Sequence, residues 1–230
     1  MKTLSALFLL SLLGMTVAMS VDSDSQSSSE DDDQDHSHHH NHGSRPRPRP
    51  RPAVVPKKKC DAGWLTFDRP QGRWCVGLFY NTISQIAAQA ECQKIGAVLT
   101  GVQNNDERIK IANAGRQILL KYNLGDAAIW LGARRRAACP RVGVCSPGNT
   151  FEWTDNFTTG LDGFFFSTCQ PDGLINASGI QSCIHQFIFS NGDTHPTWPG
   201  IHHGDYDDQY CQDTSGPRRK LYACGKNPTV

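Results

Sequence analysis

Two short polar segments carry the chemistry legible in this chain. Gln170-Pro171-Asp172 precedes Cys183 by a short polar stretch, and Asp207-Asp208 lies just ahead of Cys211. A single disulfide could hold the two segments together and converge their amide and carboxylate oxygens. That is the donor set a hard cation such as Ca²⁺ takes, about six to eight oxygens at close range. The same residues also read as an ordinary turn in a stapled extracellular fold, so the elements that position them decide between the two.

The N-terminus sets the compartment. Lys2, an apolar run from Leu4 to Leu13 and the small residues ending at Ala18-Met19-Ser20 read as a signal peptide over residues 1–20. No later segment has the roughly 18 uninterrupted apolar residues of a membrane span, so the expected product is secreted and without a transmembrane segment. Nine cysteines, all between Cys60 and Cys224, predict disulfides in an oxidising exterior. Sequons at Asn156-Phe157-Thr158 and Asn176-Ala177-Ser178 predict glycans at Asn156 and Asn176, whereas Pro228 disqualifies Asn227.

Residues 21–59 read as a disordered tail and linker. Asp22–Asp35 holds seven acidic residues and no basic ones, and Arg45–Lys59 holds seven basic residues and no acidic ones. Apolar residues are nearly absent from 23–52, too few to offset the entropy of ordering. The four Arg-Pro repeats of Arg45–Pro52 favour a polyproline rod of about 25 Å. The histidines of His36–His42 suit weak Zn²⁺ or Cu²⁺ capture, and the plainer reading of the tail is a solvated spacer.

Residues 60–225 are long enough for one core, with 226–230 left as a C-terminal tail. Cys60 and Cys75 bracket Trp64, Phe67 and Trp74 around the turn Arg69-Pro70-Gln71-Gly72, which predicts a stapled hairpin. Thr82-x-x-Gln85 predicts the start of a first helix with Ile86, Ala88, Ala90, Cys92 and Ile95 inward and Gly96 as its stop. Asn104-x-x-Glu107 predicts a second, with Ile111, Ala114 and Ile118 inward, ending near Gly125. Ile129–Gly132, Phe151–Trp153, Cys183–Phe189 and Leu221–Cys224 read as strands, and 158–182 and 190–210 as long loops. Two early helices and then strands separated by long loops argue an α+β fold whose loops carry the function.

Ala88-x-x-x-Cys92-x-x-x-Gly96-Ala97, Trp130-Leu131-Gly132, Trp153-x-Asp155, Gln170-Pro171-Asp172, Cys183, Cys211 and Cys224, in that order, resemble the C-type lectin-like domain. The resemblance runs from Cys60 to about Gly225 and is to secreted, single-domain, long-form invertebrate members. It implies two helices, small antiparallel sheets and a long loop region pinned by a disulfide. It also implies the pairs Cys60–Cys75, Cys92–Cys224 and Cys183–Cys211. In the chain-entropy model the Cys92–Cys224 link contributes about 4–5 kcal/mol and the hairpin link about 3 kcal/mol. Cys139 and Cys145, close in sequence around Pro140 and Gly143, are expected to pair with each other. Cys169 is then unpaired, which suggests an intermolecular bond, hence a disulfide-linked dimer, or a free thiol.

For the site, the resemblance implies a cis peptide before Pro171 and Ca²⁺ ligands at Gln170, Asp172, Gln181, Asp207 and Asp208. Gln181 stands where the family commonly has Glu, and Asp207 where it has Asn. Gln-Pro-Asp resembles the galactose-type motif, with Trp198 or Tyr206 as the stacking aromatic, and the family suggests recognition of microbial glycans. A glycan on Asn176 would crowd that loop, and His195, His202 and His203 lie in the next one. The alternative is a calcium-independent domain that presents its loops to a protein or surface, with Arg134-Arg135-Arg136 and Arg141 as a polyanion patch. The chain shows no nucleophile–base pair or zinc-protease motif, which reads against an enzyme, and nothing in it points to nucleic acid.

Overall fold

A computed structural model describes residues 58–214 and 219–229 of the chain. The expected signal peptide, the acidic, histidine and Arg-Pro blocks and their expected disorder lie outside the described residues. Among those described, no helix is long and apolar enough to cross a membrane.

The chain opens with the expected hairpin, β1 (Leu65–Arg69) and β2 (Gly72–Tyr80), in which Arg69 pairs with Gly72 across Pro70-Gln71. Helix α1 (Gln85–Lys94) follows. Its cap is Ser84, whose side chain accepts from Ala87 N, two residues later than Thr82-x-x-Gln85 suggests. The buried stripe is Gln85, Ala88 and Cys92; Ile86 and Ile95, expected inward, are exposed because they lie off that face. After β3 (Val98–Leu99), α2 (Asn105–Lys121) is capped by Asn104, whose side chain accepts from Glu107 N, and buries Ile111, Ala112, Gly115 and Leu119.

The rest is strand and loop: β4 (Ala127–Arg135), the short helical turn α3 (Pro147–Thr150), β5 (Phe151–Trp153), β6 (Ile175–Asn176), β7 (Gly179–Ile180), β8 (Cys183–Ile188), β9 (Tyr206–Gln209) and β10 (Arg219–Lys226). The main sheet runs β1-β2-β10-β4-β8-β9, with β3 beside β10 and β5 beside β4; β6 and β7 form a separate ribbon. Its pairs are antiparallel except β10 with β4, which run parallel. Strand β9 is an element the sequence reading leaves in a loop, because Asp-Asp is a poor strand former.

Alternation along β4 separates two packed faces. Ile129 and Leu131 join α2, Ile184, Ile188 and Leu221 on one side. Trp130 joins Ala88, Cys92, Leu99 and Tyr222 on the other. The α+β, C-type lectin-like architecture is therefore present, held by Cys60–Cys75, Cys92–Cys224, Cys139–Cys145 and Cys183–Cys211.

Two measurements probe this packing. At Gly132 a Cβ would lie 2.1 Å from the Leu99 carbonyl oxygen, a backbone atom with little room to yield. Gly132→Ala should cost about 3 kcal/mol in a denaturant melt, against near-neutrality for Ala at Gly148, where a Cβ would meet nothing within 4 Å. The second concerns His203, buried between β8 and β9, whose Nδ1 accepts from Phe189 N at 3.0 Å. Burial first, and then the Arg116 cation, lowers its pKa to about 4. The neutral ring therefore stabilises the fold fully above an unfolded pKa of about 6.5, and that stability is lost as pH falls toward 4. Melting should weaken across this window by about 2 to 3 kcal/mol, and His203→Gln should flatten that part of the profile.

Candidate functional site

The loop between β5 and β8 returns to the sheet at Gln170-Pro171-Asp172, where the Gln170–Pro171 peptide is cis. The Cys183–Cys211 bond ties the start of β8 to the residue two beyond β9, and Cys183 pairs with Gln209 across the ladder. That brings Asp208 under the loop. Its Oδ1 accepts from Asp172 N at 3.0 Å and its Oδ2 from Gly173 N at 3.1 Å. Gln170 Oε1 also accepts from Asp172 N, at 2.8 Å, and Leu174 N is shared between Asp172 Oδ1 and Gln181 Oε1 at 3.3 and 3.2 Å. Four of the expected site residues, Gln170, Asp172, Gln181 and Asp208, thus surround one turn of backbone.

Beneath them lies a residue that the sequence reading places on an exposed basic patch. Arg135, at the end of β4, is 3% exposed in its side chain, and its Nη2 donates to Asp208 Oδ2 at 2.7 Å. Its Nε donates to the Gln181 carbonyl at 2.8 Å, and its guanidinium lies 4.9 Å from the Phe151 ring centroid. Burial raises the Asp208 pKa, with Asp172 adding to the rise, while Arg135 and the two amide N–H groups oppose it. A carboxylate this enclosed is tolerable only with such partners. Arg134 is also partly buried, and desolvation lowers its pKa, so the triple-arginine stretch is not a free polyanion surface. No local feature of the sequence sets Arg135 apart from Arg134 and Arg136.

The donor set does not fit Ca²⁺ as it stands. Asp208 Oδ2 already accepts two hydrogen bonds, one from a guanidinium that neutralises its charge. A dication in contact with the same carboxylate would face that guanidinium in a medium that screens little. Asp207, next along β9, projects to the opposite face, where its Oδ2 lies 3.5 Å from His185 Nε2. The two adjacent carboxylates therefore do not converge. Among the described residues no group of three or more His, Cys, Asp and Glu could hold a metal ion.

The expected stacking aromatics are also redistributed. Tyr206 is fully buried beside Trp153 and Phe166, with its hydroxyl pKa driven up by burial, and it cannot meet a sugar. Trp198 is half-buried and stacks on His195 at 4.0 Å. Asn156 and Asn176 are exposed, and Cys169 is an exposed free cysteine with φ +65°, next to Gln170.

A family model for C-type lectin domain-containing protein 141/158 matches residues 67–226. C-type lectin domain-containing protein 158 of Caenorhabditis elegans is 27% identical over 150 residues, 56% of this chain and 70% of that protein. Among solved structures, human lithostathine covers 78% of this chain and 100% of its own at 15% identity and a TM-score of 0.47. A calcium-independent type II antifreeze protein covers 74% and 95% at 16% identity and 0.45. With 160 contiguous residues matched by the family model, the chain belongs to the C-type lectin domain-containing protein 141/158 family.

Proposed function

We propose that this chain is a secreted, non-enzymatic binding domain that engages glycans through its long-loop face without calcium. The observation that carries the reading is the buried Arg135–Asp208 pair. An internal cation stands where a bound one would otherwise balance Asp208, and through Asp208 it holds the amides of Asp172 and Gly173. The loop is shaped by the chain's own charge. Membership of a lectin-domain family supports glycans as the ligand class, and the four disulfides are consistent with an extracellular site of action.

A glycan array in chelator and in millimolar Ca²⁺ tests this directly. The same glycans should be retained in both buffers, with an unchanged melting temperature. Calcium-only retention with a Ca²⁺-raised melt would restore the calcium-dependent, galactose-type reading with Gln170, Asp172, Gln181, Asp207 and Asp208 as ligands, since a ligand that binds only the native state must stabilise it. Protein partners with no glycan retained would favour the sugar-independent alternative. A dimer through Cys169 would appear as a doubled mass that reductant removes.

The ion pair has its own test. Arg135→Ala should destabilise by about 3–5 kcal/mol, because it strands a buried carboxylate, and adding Asp208→Asn should recover part of that loss. Arg135→Gln leaves the Asp208 carboxylate without its cation. Its melting temperature, unlike that of the parent, should rise with added Ca²⁺.

A further inference from the structure

The turn after β5 holds the Asn156-Phe157-Thr158 sequon in a fixed conformation. Asp155 is buried, and its Oδ1 accepts from Phe157 N at 3.1 Å and from Thr158 N at 2.8 Å. Thr158 Oγ1 donates to Asp155 Oδ2 at 2.6 Å and accepts from Arg69 Nη1 at 2.8 Å. Asn156 is exposed and takes the left-handed conformation, φ +56°, which asparagine tolerates better than most residues.

Asn156 lines a groove of about 420 Å³, within the range of about 300–1,000 Å³ that holds a small ligand. Val98 and Phe157, both half-buried, offer apolar surface, and the Phe157 ring is held by stacking on Trp74 with centroids 4.4 Å apart. The exposed residues Asn227 and Thr229 add an amide and a hydroxyl, which both donate and accept. Apolar surface for the C–H face of a sugar beside such groups for its polar substituents suits a carbohydrate. One that is tethered at the rim has an effective concentration of about millimolar or more, so contacts too weak to hold a free sugar suffice.

From this we infer that Asn156 is N-glycosylated and that the first N-acetylglucosamine of its glycan lies in this groove as a fixed part of the fold. In the transfer, Asn156 Nδ2 forms a bond to the sugar C1. The C1–O bond to a polyprenyl pyrophosphate donor breaks, and the amide proton leaves with the pyrophosphate. The transferase must reach the hydroxyl at the third position of the sequon. In the folded domain that hydroxyl is engaged by Asp155 and Arg69, and a Cβ at Gly101 would lie 2.5 Å from it. The transfer therefore precedes the packing of this turn. The far wall of the groove, from Gly225 to Thr229, belongs to β10 and the residues after it, so the sugar is in place before the groove is complete. The assignment needs entry into the secretory pathway but not the glycan-binding reading above.

The secreted full chain carrying Asn176→Gln isolates this one glycan. Its mass should show a glycan on Asn156. Trimming with an endoglycosidase that leaves a single N-acetylglucosamine should keep the melting temperature. The same chain made in bacteria, with Asn156 unmodified, should melt lower by about 3 °C or more. Should that chain not fold, treatment of the folded glycoprotein with an amidase, which removes the sugar and leaves Asp at 156, gives the comparison. In the trimmed form the sugar protons should show Overhauser contacts to the Phe157 ring and the Val98 methyls. An oligosaccharyltransferase should modify the reduced, unfolded chain and not the refolded one.

A secreted chain with unmodified Asn156 overturns the assignment and leaves the glycan-binding proposal untouched. So does a single-sugar form that melts with the bare chain and shows no contact to Val98 or Phe157. Modification of the refolded chain overturns the order of events. A chain that keeps residues 1–20 and stays in the cytosol overturns the secreted reading together with this one.

Discussion

The arrangement depends on burying β4 on both faces. Its first seven residues are enclosed, a pattern that requires a layer on each side of the sheet. Helix α2 and the Ile184–Ile188 side supply one, α1 and Trp130's neighbours the other. The strand also has β10 and β8 as ladder partners and β5 at its far end. Once those contacts are made, the direction of β4 is fixed, and so is the point where its terminal arginines emerge. Arg135 reaches the long loop because the strand that carries it has no freedom left.

The same device is used twice. At the other end of the sheet Arg69 donates to both oxygens of Glu107 at 2.9 and 2.7 Å and to Thr158 Oγ1 at 2.8 Å. Asp155 gathers the N–H groups of Gly101, Phe157 and Thr158. In each case a buried carboxylate satisfies backbone donors of an irregular loop, and an arginine from a strand end balances it. Irregular backbone cannot be buried without such acceptors. Removing one partner of either pair leaves a charge with no water to turn to, so these pairs specify a single loop conformation more than they add net stability.

Most of the framework was legible from local rules. The hairpin, both helices, four strands and the cysteine pairs follow from turn residues, caps and the order of landmarks around Trp130, Trp153 and Cys92. What escaped depends on tertiary placement. Asp207-Asp208 reads as two ligands of one ion, but strand alternation in β9 sends them to opposite faces, and β9 itself is stabilised by pairing with β8 and not by its own propensities. Arg134-Arg135-Arg136 reads as a solvated charge run, and nothing local reveals that Arg135 turns inward to meet a residue 73 positions later. Tyr206 looked available to a ligand because its burial comes from Trp153 and Phe166, distant in sequence.

The position of β10 bears on how the molecule is made. It lies between β2 and β4, and its Cys224 closes onto Cys92 of the first helix. The hairpin and α1 are synthesised long before the strand that joins them to the rest of the sheet. On the ribosome, chains emerge N-terminus first at about 5–20 residues per second. Until residue 226 is free, β2 has an unpaired edge, β4 lacks its parallel neighbour and Cys92 lacks its partner. The domain therefore cannot complete its sheet progressively during translation, and the chain passes through a stage in which early cysteines wait for late ones.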